Sequence, residues 1–155
     1  MNAACFAAPG GPEVLRLAEV PDLEPGPRQL VIRVEAAGVN FIDLYQRAGQ
    51  YKTVLPFIPG QEAAGTVTAL GPGVTGFAAG DRVVCYNGGL AAYAEYVLAP
   101  ADRVVRLPNG VSAEQGAAVM LQGLTAHYLA CTTYPLKPGD TCLVHAAAGG
   151  TGLLL

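Results

Sequence analysis

The C-terminal residues 140–155 place a short apolar run directly before a turn of small residues. Residues 142–144 read Cys-Leu-Val, residues 147–152 read Ala-Ala-Gly-Gly-Thr-Gly, and leucines follow. A short apolar run of this kind is typical of a strand that is buried in a parallel sheet. The pattern therefore predicts a strand, then a tight turn, then the start of a helix.

The small residues of this turn favour a particular class of ligand. A tight turn, a close approach of backbone N–H groups to a pyrophosphate and close packing of helix on strand each exclude a bulky side chain. The N-terminus of the new helix also favours an anion. Gly149 and Gly152 stand at the second and third glycine positions of the dinucleotide-binding fingerprint, and Ala147 stands at the first. The turn predicts dinucleotide binding, and a flexible Ala- and Gly-rich loop is the alternative.

A dinucleotide-binding domain needs more chain than follows this turn. Such a domain takes roughly 150 residues, and the residue that reads the ribose lies about 20 residues beyond the glycines. Here the turn is followed only by leucines. We therefore expect one domain over residues 1–110 and the truncated, incomplete beginning of a Rossmann domain over residues 111–155.

The chain before this region alternates short β-type segments with Gly- and Pro-rich turns. This spacing predicts a mainly β, partly open barrel, with strands over residues 3–7, 14–20, 29–37, 63–70, 83–86, 92–98 and 104–107. A short helix is predicted from Asn40, a favourable N-cap, to Gly49. A capping box at residues 112–115 predicts a helix to about Met120, and residues 123–130 form a second helical stretch.

Composition excludes several classes of function. The chain has 155 residues, a net charge of −3 and no basic run, so a nucleic-acid partner is not expected. No apolar run approaches the roughly 20 residues that cross a bilayer, and no secretory signal begins the chain, so we expect a cytoplasmic protein. The four cysteines lack Cys-x-x-Cys spacing and the two histidines stand alone. Buried free thiols and no metal site are predicted.

Several blocks of the sequence together resemble one family. They are residues 10–15, 38–45, 59–67, 80–83, 122–126 and 145–152. With these blocks the chain is similar to the N-terminal part of the zinc-free, zeta-crystallin-like quinone oxidoreductases in the medium-chain dehydrogenase/reductase superfamily. The resemblance implies a GroES-like β domain followed by a Rossmann domain, with NADPH in the cleft between them and a homodimer in the complete protein.

The resemblance also bears on zinc. Zinc-dependent relatives carry a cysteine and a histidine where this chain has Asn40 and Gln61. Catalytic zinc takes thiolate, imidazole or carboxylate ligands, and neither amide is one of these. The expected chemistry is hydride transfer to a quinone or another small activated carbonyl, in which the cofactor reacts and the protein fixes geometry and excludes water.

Site residues follow from the resemblance alone. It implies cofactor binding by Asn40, Phe41, Tyr45, Thr125, His127, Gly149, Gly150 and Thr151, and catalytic roles for Asn40, Tyr45 and Tyr51. Relatives often have tyrosine at the position of His127.

Each role has a structural alternative. Asn40 could serve only as a helix cap, and Tyr45 could be an ordinary core residue. Thr125 could bond its own helix backbone, and Tyr51 could merely cover apolar surface. We assign Glu62 and Asp81 to structure, as acids that satisfy backbone donors.

Three functions remain open on this basis. The first is NADPH-dependent quinone reduction, in which the choice of NADPH over NADH rests on the resemblance. The second is reduction of an enoyl thioester or enone, which needs a proton donor such as Tyr45 or Tyr51. The third is a catalytically inactive fragment that acts only in binding.

Overall fold

The computed structural model describes residues 1–155, which form seven strands and two helices. The strands are β1 (Asn2–Cys5), β2 (Arg16–Glu19), β3 (Gln29–Ala37), β4 (Glu62–Leu70), β5 (Arg82–Tyr86), β6 (Tyr96–Pro100) and β7 (Val104–Arg106). The helices are α1 (Phe41–Arg47) and α2 (Ala113–His127), and a π-helical segment, Tyr128–Thr133, continues α2. Short 3₁₀ turns cover Pro12–Val14 and Ala101–Arg103.

Five of the strands form one antiparallel sheet in the order β6-β3-β4-β5-β7, and β1 pairs with β2 in a separate ribbon. The β3–β4 ladder changes register twice, between Val31 and Ile32 and between Val34 and Ala36. Such irregularities bend a strand and increase its twist. The predicted fold class, a mainly β and partly open barrel, is confirmed.

Successive side chains of a strand point to opposite faces of the sheet. Apolar side chains pack on both faces of this one. On one face Leu30, Ile32, Val67 and Val97 belong to the larger apolar core. On the other face Ala64 of β4 and Val84 of β5 pack with Ala113 and Ala117 of α2. Small side chains at this second interface let α2 lie close to β4, and that position brings the helix to the first residue of the strand.

The predicted helix at Asn40 is confirmed. Asn40 has an extended backbone and precedes the first helical residue, Phe41. The chain leaves the helix at Gly49, which has a φ of +79°, and its N–H donates to the Gln46 carbonyl. Glycine adopts this left-handed conformation without strain, so it ends α1 at the predicted place.

Two predictions between residues 92 and 130 need correction. The strand near residues 92–98 is shorter and later, at Tyr96–Pro100, because only this part pairs with β3. The two helical stretches form a single helix that runs through Gly123. A lone glycine inside a helix costs about 1 kcal/mol relative to alanine but does not remove a backbone donor, so it does not end the helix.

The predicted strand at residues 142–144 is wrong. Residues 141–144 have no regular structure, and Leu143 is 82% exposed. A strand is stable in a sheet, and no strand of this chain lies beside these residues. The small-residue turn does form: Gly149 N–H donates to the Ala146 carbonyl, and Leu153 N–H donates to the Gly149 carbonyl. The helix predicted after this turn does not form, and the chain makes a series of turns there.

None of the helices is long and apolar enough to cross a membrane.

Candidate functional site

The Asn40 side chain lies between β4 and α2, where it connects two polar residues. Its Nδ2 donates to Glu62 Oε1 over 2.7 Å, and its Oδ1 accepts from Gln122 Nε2 over 3.2 Å. The Asn40 backbone N–H donates to the Asp43 carboxylate, at 2.9 Å. Asn40 therefore has two roles. Its backbone begins α1, and its side-chain amide joins residues that are distant in the sequence.

Glu62 is a fully buried carboxylate. Besides the Asn40 amide, it accepts the backbone N–H of Leu121 in α2, at 2.6 Å. Gly38 leaves room for this group, since a Cβ at residue 38 would overlap the carboxylate. Burial raises the pKa of Glu62, and the hydrogen bonds from Asn40 and Leu121 act in the opposite direction. The prediction that Glu62 satisfies a backbone donor is confirmed, and the residue also holds Asn40.

Asp81 is the second acid that the sequence assigned to structure. It accepts the backbone N–H of Ala78 at 2.9 Å and pairs with Arg106 at 2.8 Å. The bond from Ala78 and the Arg106 guanidinium hold its pKa below the usual value. Asp81 therefore ties the turn before β5 to β7, as a structural residue.

Asp43 is a buried acid that the sequence analysis missed. Its carboxylate accepts hydrogen bonds from Asn40 N–H, Gly60 N–H and the Tyr93 hydroxyl, the last two at 3.0 Å each. Burial and the nearby Asp43 charge raise the pKa of Tyr93. An acid three residues after an N-cap is a recognisable sign of such a helix start. Asp43 fixes α1 on the loop that carries Gly60.

Three of the predicted site residues form an exposed aromatic cluster. The ring centroids of Phe41 and Tyr45 are 6.2 Å apart, and those of Tyr45 and Tyr51 are 5.8 Å apart. Phe41 is 73% exposed, Tyr51 54% and Tyr45 37%. Tyr45 is thus not an ordinary core residue. The hydroxyls of Tyr45 and Tyr51 make no hydrogen bond within the chain, and both side chains are exposed, so both can bond a ligand.

One residue of the aromatic cluster, Phe41, shares a cleft with the small-residue turn. This cleft has a volume of about 690 Å³, and Phe41 lines it together with Gly149, Gly150, Thr151 and Gly152. Gly150 also lies against α2, because a Cβ there would be 2.7 Å from Gln122 Cγ. The structure therefore brings Phe41 and the predicted phosphate-binding residues to one place, next to the Asn40–Gln122 contact.

Thr125 and His127 do not reach this cleft. The Thr125 hydroxyl donates to the Leu121 carbonyl at 2.8 Å, as its structural alternative predicted. Thr125 instead lines a separate cavity of about 290 Å³ with Tyr86 and Tyr128. His127 is exposed near the end of α2.

The residues of this region fit part of a dinucleotide. The backbone N–H groups of Gly150, Thr151 and Gly152 donate to no acceptor in the chain, so they are available to an anion. Gln122 Oε1 is buried without a donor. Buried acceptors in native proteins are normally bonded, and a ligand is one way to satisfy this one.

Metal-binding groups are not concentrated anywhere in the chain. No group of three or more His, Cys, Asp or Glu side chains is placed to hold a metal ion. The Gln61 amide is occupied: its Oε1 accepts Gly89 N–H at 3.1 Å, and its Nε2 contacts Gln46 Oε1 at 3.4 Å.

The cysteine prediction holds only in part. All four thiols are free, but only Cys85 is buried, and Cys131 and Cys142 are exposed. Those two lie in the C-terminal region, where few residues pack over them. Burial raises the pKa of Cys85 to about 12.

Comparison with known proteins decides the family. Residues 26–109, more than half of the chain, match the family described as "Alcohol dehydrogenase GroES-like domain". The chain belongs to this family. It is 51% identical to a quinone oxidoreductase of Pseudomonas aeruginosa over 149 residues, which are 96% of this chain and 46% of that protein. The resemblance to quinone oxidoreductases of the medium-chain superfamily is confirmed.

Solved structures agree with this family. A mycobacterial protein complexed with NADPH is 50% identical, with a TM-score of 0.94 over 99% of this chain and 48% of that one. The Escherichia coli quinone oxidoreductase complexed with NADPH is 44% identical, with a TM-score of 0.93 over 99% of this chain and 47% of that one. The chain thus spans about half the length of the relatives that it matches.

Proposed function

We propose that this chain forms part of an NADPH-dependent oxidoreductase that reduces quinones. The observation that carries the proposal is the shared cleft, in which Phe41 faces the turn of Gly149, Gly150 and Thr151. The quinone oxidoreductase names of the relatives and the NADPH in two of the similar structures support it. In this proposal residues 1–110 carry the substrate side and residues 111–155 belong to the dinucleotide-binding side.

NADPH, when bound, supplies the hydride, and the protein residues position the reactants. The free N–H groups of Gly150 and Thr151 suit the pyrophosphate, and Gly149 lets the backbone approach it. Phe41 also lines the cleft, Asn40 directly precedes it in the chain and Tyr45 packs on its ring, so this group suits the nicotinamide. Binding by Thr125 and His127 remains a proposal from the resemblance alone, because neither reaches the cleft.

The aromatic cluster provides the binding surface for the substrate. The rings of Phe41, Tyr45 and Tyr51 form an exposed apolar patch that suits a flat quinone ring. When substrate and cofactor fill the cleft, these rings exclude water and hold the two reacting molecules together. The hydroxyls of Tyr45 and Tyr51 are free to donate a hydrogen bond to a quinone oxygen.

Zinc has no place in this proposal. The two positions that carry zinc ligands in zinc-dependent relatives are Asn40 and Gln61, and both amides are engaged by hydrogen bonds to neighbouring residues. Carboxamides are not ligands of catalytic zinc. Hydride transfer then relies on position and on the ready reduction of the substrate.

The test is NADPH binding by calorimetry, followed by NADPH oxidation with an o-quinone, for the natural protein that contains this chain and for residues 1–155 alone. We expect the natural protein to bind NADPH and turn over the quinone, and Tyr45→Phe and Tyr51→Phe to reduce turnover. Tyr96→Phe, on β6 and away from the cleft, is the matched control. Absence of NADPH binding by the natural protein would overturn the proposal and favour a binding role alone.

Reduction of an enone is the second candidate. A conjugated alkene takes up a proton as well as a hydride, so it requires a donor within reach. Tyr45 and Tyr51 favour this possibility, because both are exposed and their hydroxyls make no hydrogen bond within the chain. Comparison of kcat/KM for an o-quinone and an enone separates the two candidates. Loss of only the enone activity in Tyr45→Phe or Tyr51→Phe would identify the proton donor.

A further inference from the structure

Gln122 Oε1 is the only buried side-chain nitrogen or oxygen in the chain that has no hydrogen-bond partner. The other end of the same amide is bonded, since Nε2 donates to Asn40 Oδ1. Glu62, Asn40 and Gln122 thus form a polar cluster. Within it, only Gln122 Oε1 lacks a hydrogen-bond partner. A buried acceptor without a donor is unfavourable and needs an explanation.

The chemistry of this cluster fixes the direction of its hydrogen bonds. Both Glu62 oxygens accept N–H donors, from Asn40 Nδ2 and from Leu121. Asn40 must therefore turn its amide nitrogen to Glu62 and its oxygen to Gln122. Gln122 must then present its own nitrogen to Asn40. Its Oε1 is then left without a donor inside the cluster.

The position of Gln122 indicates which molecule supplies the missing donor. Its side chain lies against Gly150, which belongs to the turn that lines the large cleft. It also lines a second cavity of about 400 Å³ beside Gly38 and Val39. A ligand that extends from the small-residue turn towards Asn40 passes this side chain. Hydroxyls and carboxamide N–H groups are the donors that the nicotinamide half of a dinucleotide carries.

We propose that Gln122 is a cofactor-binding residue whose Oε1 accepts a hydrogen bond from a hydroxyl or carboxamide of the nicotinamide nucleoside, and that Glu62 positions it through Asn40. This inference rests on the proposed use of NADPH. Gln122 would touch the cofactor. Glu62 acts through Asn40 and is a positioning residue.

The test compares two ligands on the natural protein by calorimetry, without any substrate. NADPH carries the nicotinamide nucleoside, and adenosine 2′,5′-bisphosphate lacks it. Gln122→Met keeps the side-chain length and removes the acceptor. We expect this variant to bind NADPH about tenfold more weakly and adenosine 2′,5′-bisphosphate as tightly as the unmodified protein. Val119→Met, an exposed position on the same helix, is the control and should change neither affinity.

The Glu62→Gln variant tests the positioning role. A glutamine at residue 62 offers one oxygen to two donors, so the fixed direction of the Asn40 and Gln122 amides is lost. We expect Glu62→Gln to weaken NADPH binding, and the double variant with Gln122→Met to bind no more weakly than the weaker single variant. Additive losses would overturn the link between the two residues.

NADPH binding by the unmodified protein and by Gln122→Met separates failure of this inference from failure of the proposed function. If the unmodified protein does not bind NADPH, the proposed function fails. If it binds NADPH and Gln122→Met binds it equally well, only the inference on Gln122 is wrong. Equal weakening of both ligands in Gln122→Met, with a lower melting temperature, would assign Gln122 to structure and also overturn the inference. If Glu62→Gln does not fold, the two-ligand comparison with Gln122→Met still decides.

Discussion

The Glu62 carboxylate at the start of β4 holds the Asn40 amide before α1, with 2.7 Å between Glu62 Oε1 and Asn40 Nδ2. Its second oxygen bonds the backbone of α2 at Leu121. One buried acid thus connects the sheet, the short helix and the long helix. Of these elements, α1 reaches the proposed cofactor cleft directly, through Phe41, and α2 lies against its turn, through Gln122 beside Gly150.

Glu62 makes the stability of the protein depend on pH. Its pKa in the folded state is raised above the ordinary value of 4.5, chiefly by burial. The folded state then binds a proton more tightly than the unfolded state does. The contribution of this residue to stability is fully present below the unfolded pKa and is lost as the pH rises through the folded pKa.

Glu62→Gln therefore tests this pH dependence. We expect the difference in unfolding free energy, variant minus unmodified protein, to become more positive as the pH rises from 4.5 through the raised pKa. Urea denaturation at a series of pH values measures it. Glu24→Gln, at an exposed position, should show no such trend. A difference that falls with rising pH would contradict the assignment of a raised pKa.

Alanine in place of glycine should change stability in opposite directions at two positions. A Cβ at Gly65 would overlap the backbone carbonyl of Arg33 in the neighbouring strand β3. Gly123, in the middle of α2, has no atom within 4 Å of the added Cβ. We expect Gly65→Ala to destabilise the protein by about 1–3 kcal/mol and Gly123→Ala to stabilise it by about 0.4–1 kcal/mol. Chemical denaturation measures both, and a stabilising Gly65→Ala would contradict the close β3–β4 contact.

The Asp43 carboxylate bonds the N–H groups of Asn40 and Gly60 and the Tyr93 hydroxyl. Loss of the Tyr93 hydroxyl should destabilise the protein less than loss of the carboxylate. Tyr93→Phe removes one of three donors, and Asp43 keeps the N–H groups of Asn40 and Gly60. We expect a cost of about 1 kcal/mol. Asp43→Ala leaves those buried donors unbonded and should cost more, about 2–4 kcal/mol. Denaturation of both variants gives the comparison, and equal losses would show that Asp43 does not hold the cluster together.

The sequence predicted the features that depend on local chemistry. The N-cap Asn40 and the stop at Gly49 located α1, and the β-type segment over residues 29–37 located β3. These signals act within a few residues of the chain, so a sequence displays them directly. The resemblance to a family singled out Phe41, Tyr45 and Tyr51, but it predicted neither their exposure nor their ring contacts.

The contacts between distant residues could not be predicted in the same way. Glu62 and Leu121 are 59 positions apart, and Asn40 and Gln122 are 82 apart. Neither pair has a spacing that identifies it. The strand predicted at residues 142–144 failed for a related reason: an apolar run becomes a strand only beside another strand, and pairing is a property of the whole fold. The small-residue turn formed because its hydrogen bonds are local.

The four cysteines should differ in reactivity according to their burial. The thiolate is the reactive form, and burial raises the pKa of Cys85 to about 12, so this thiol stays protonated and covered at neutral pH. Cys131 and Cys142 are exposed, and Cys5 is half-buried. With iodoacetamide at pH 8, we expect fast labelling at Cys131 and Cys142, slower labelling at Cys5, and labelling at Cys85 only after denaturation. Peptide mass spectrometry identifies each site. Rapid labelling of Cys85 in the folded protein would show that β5 is not buried between β4 and β7.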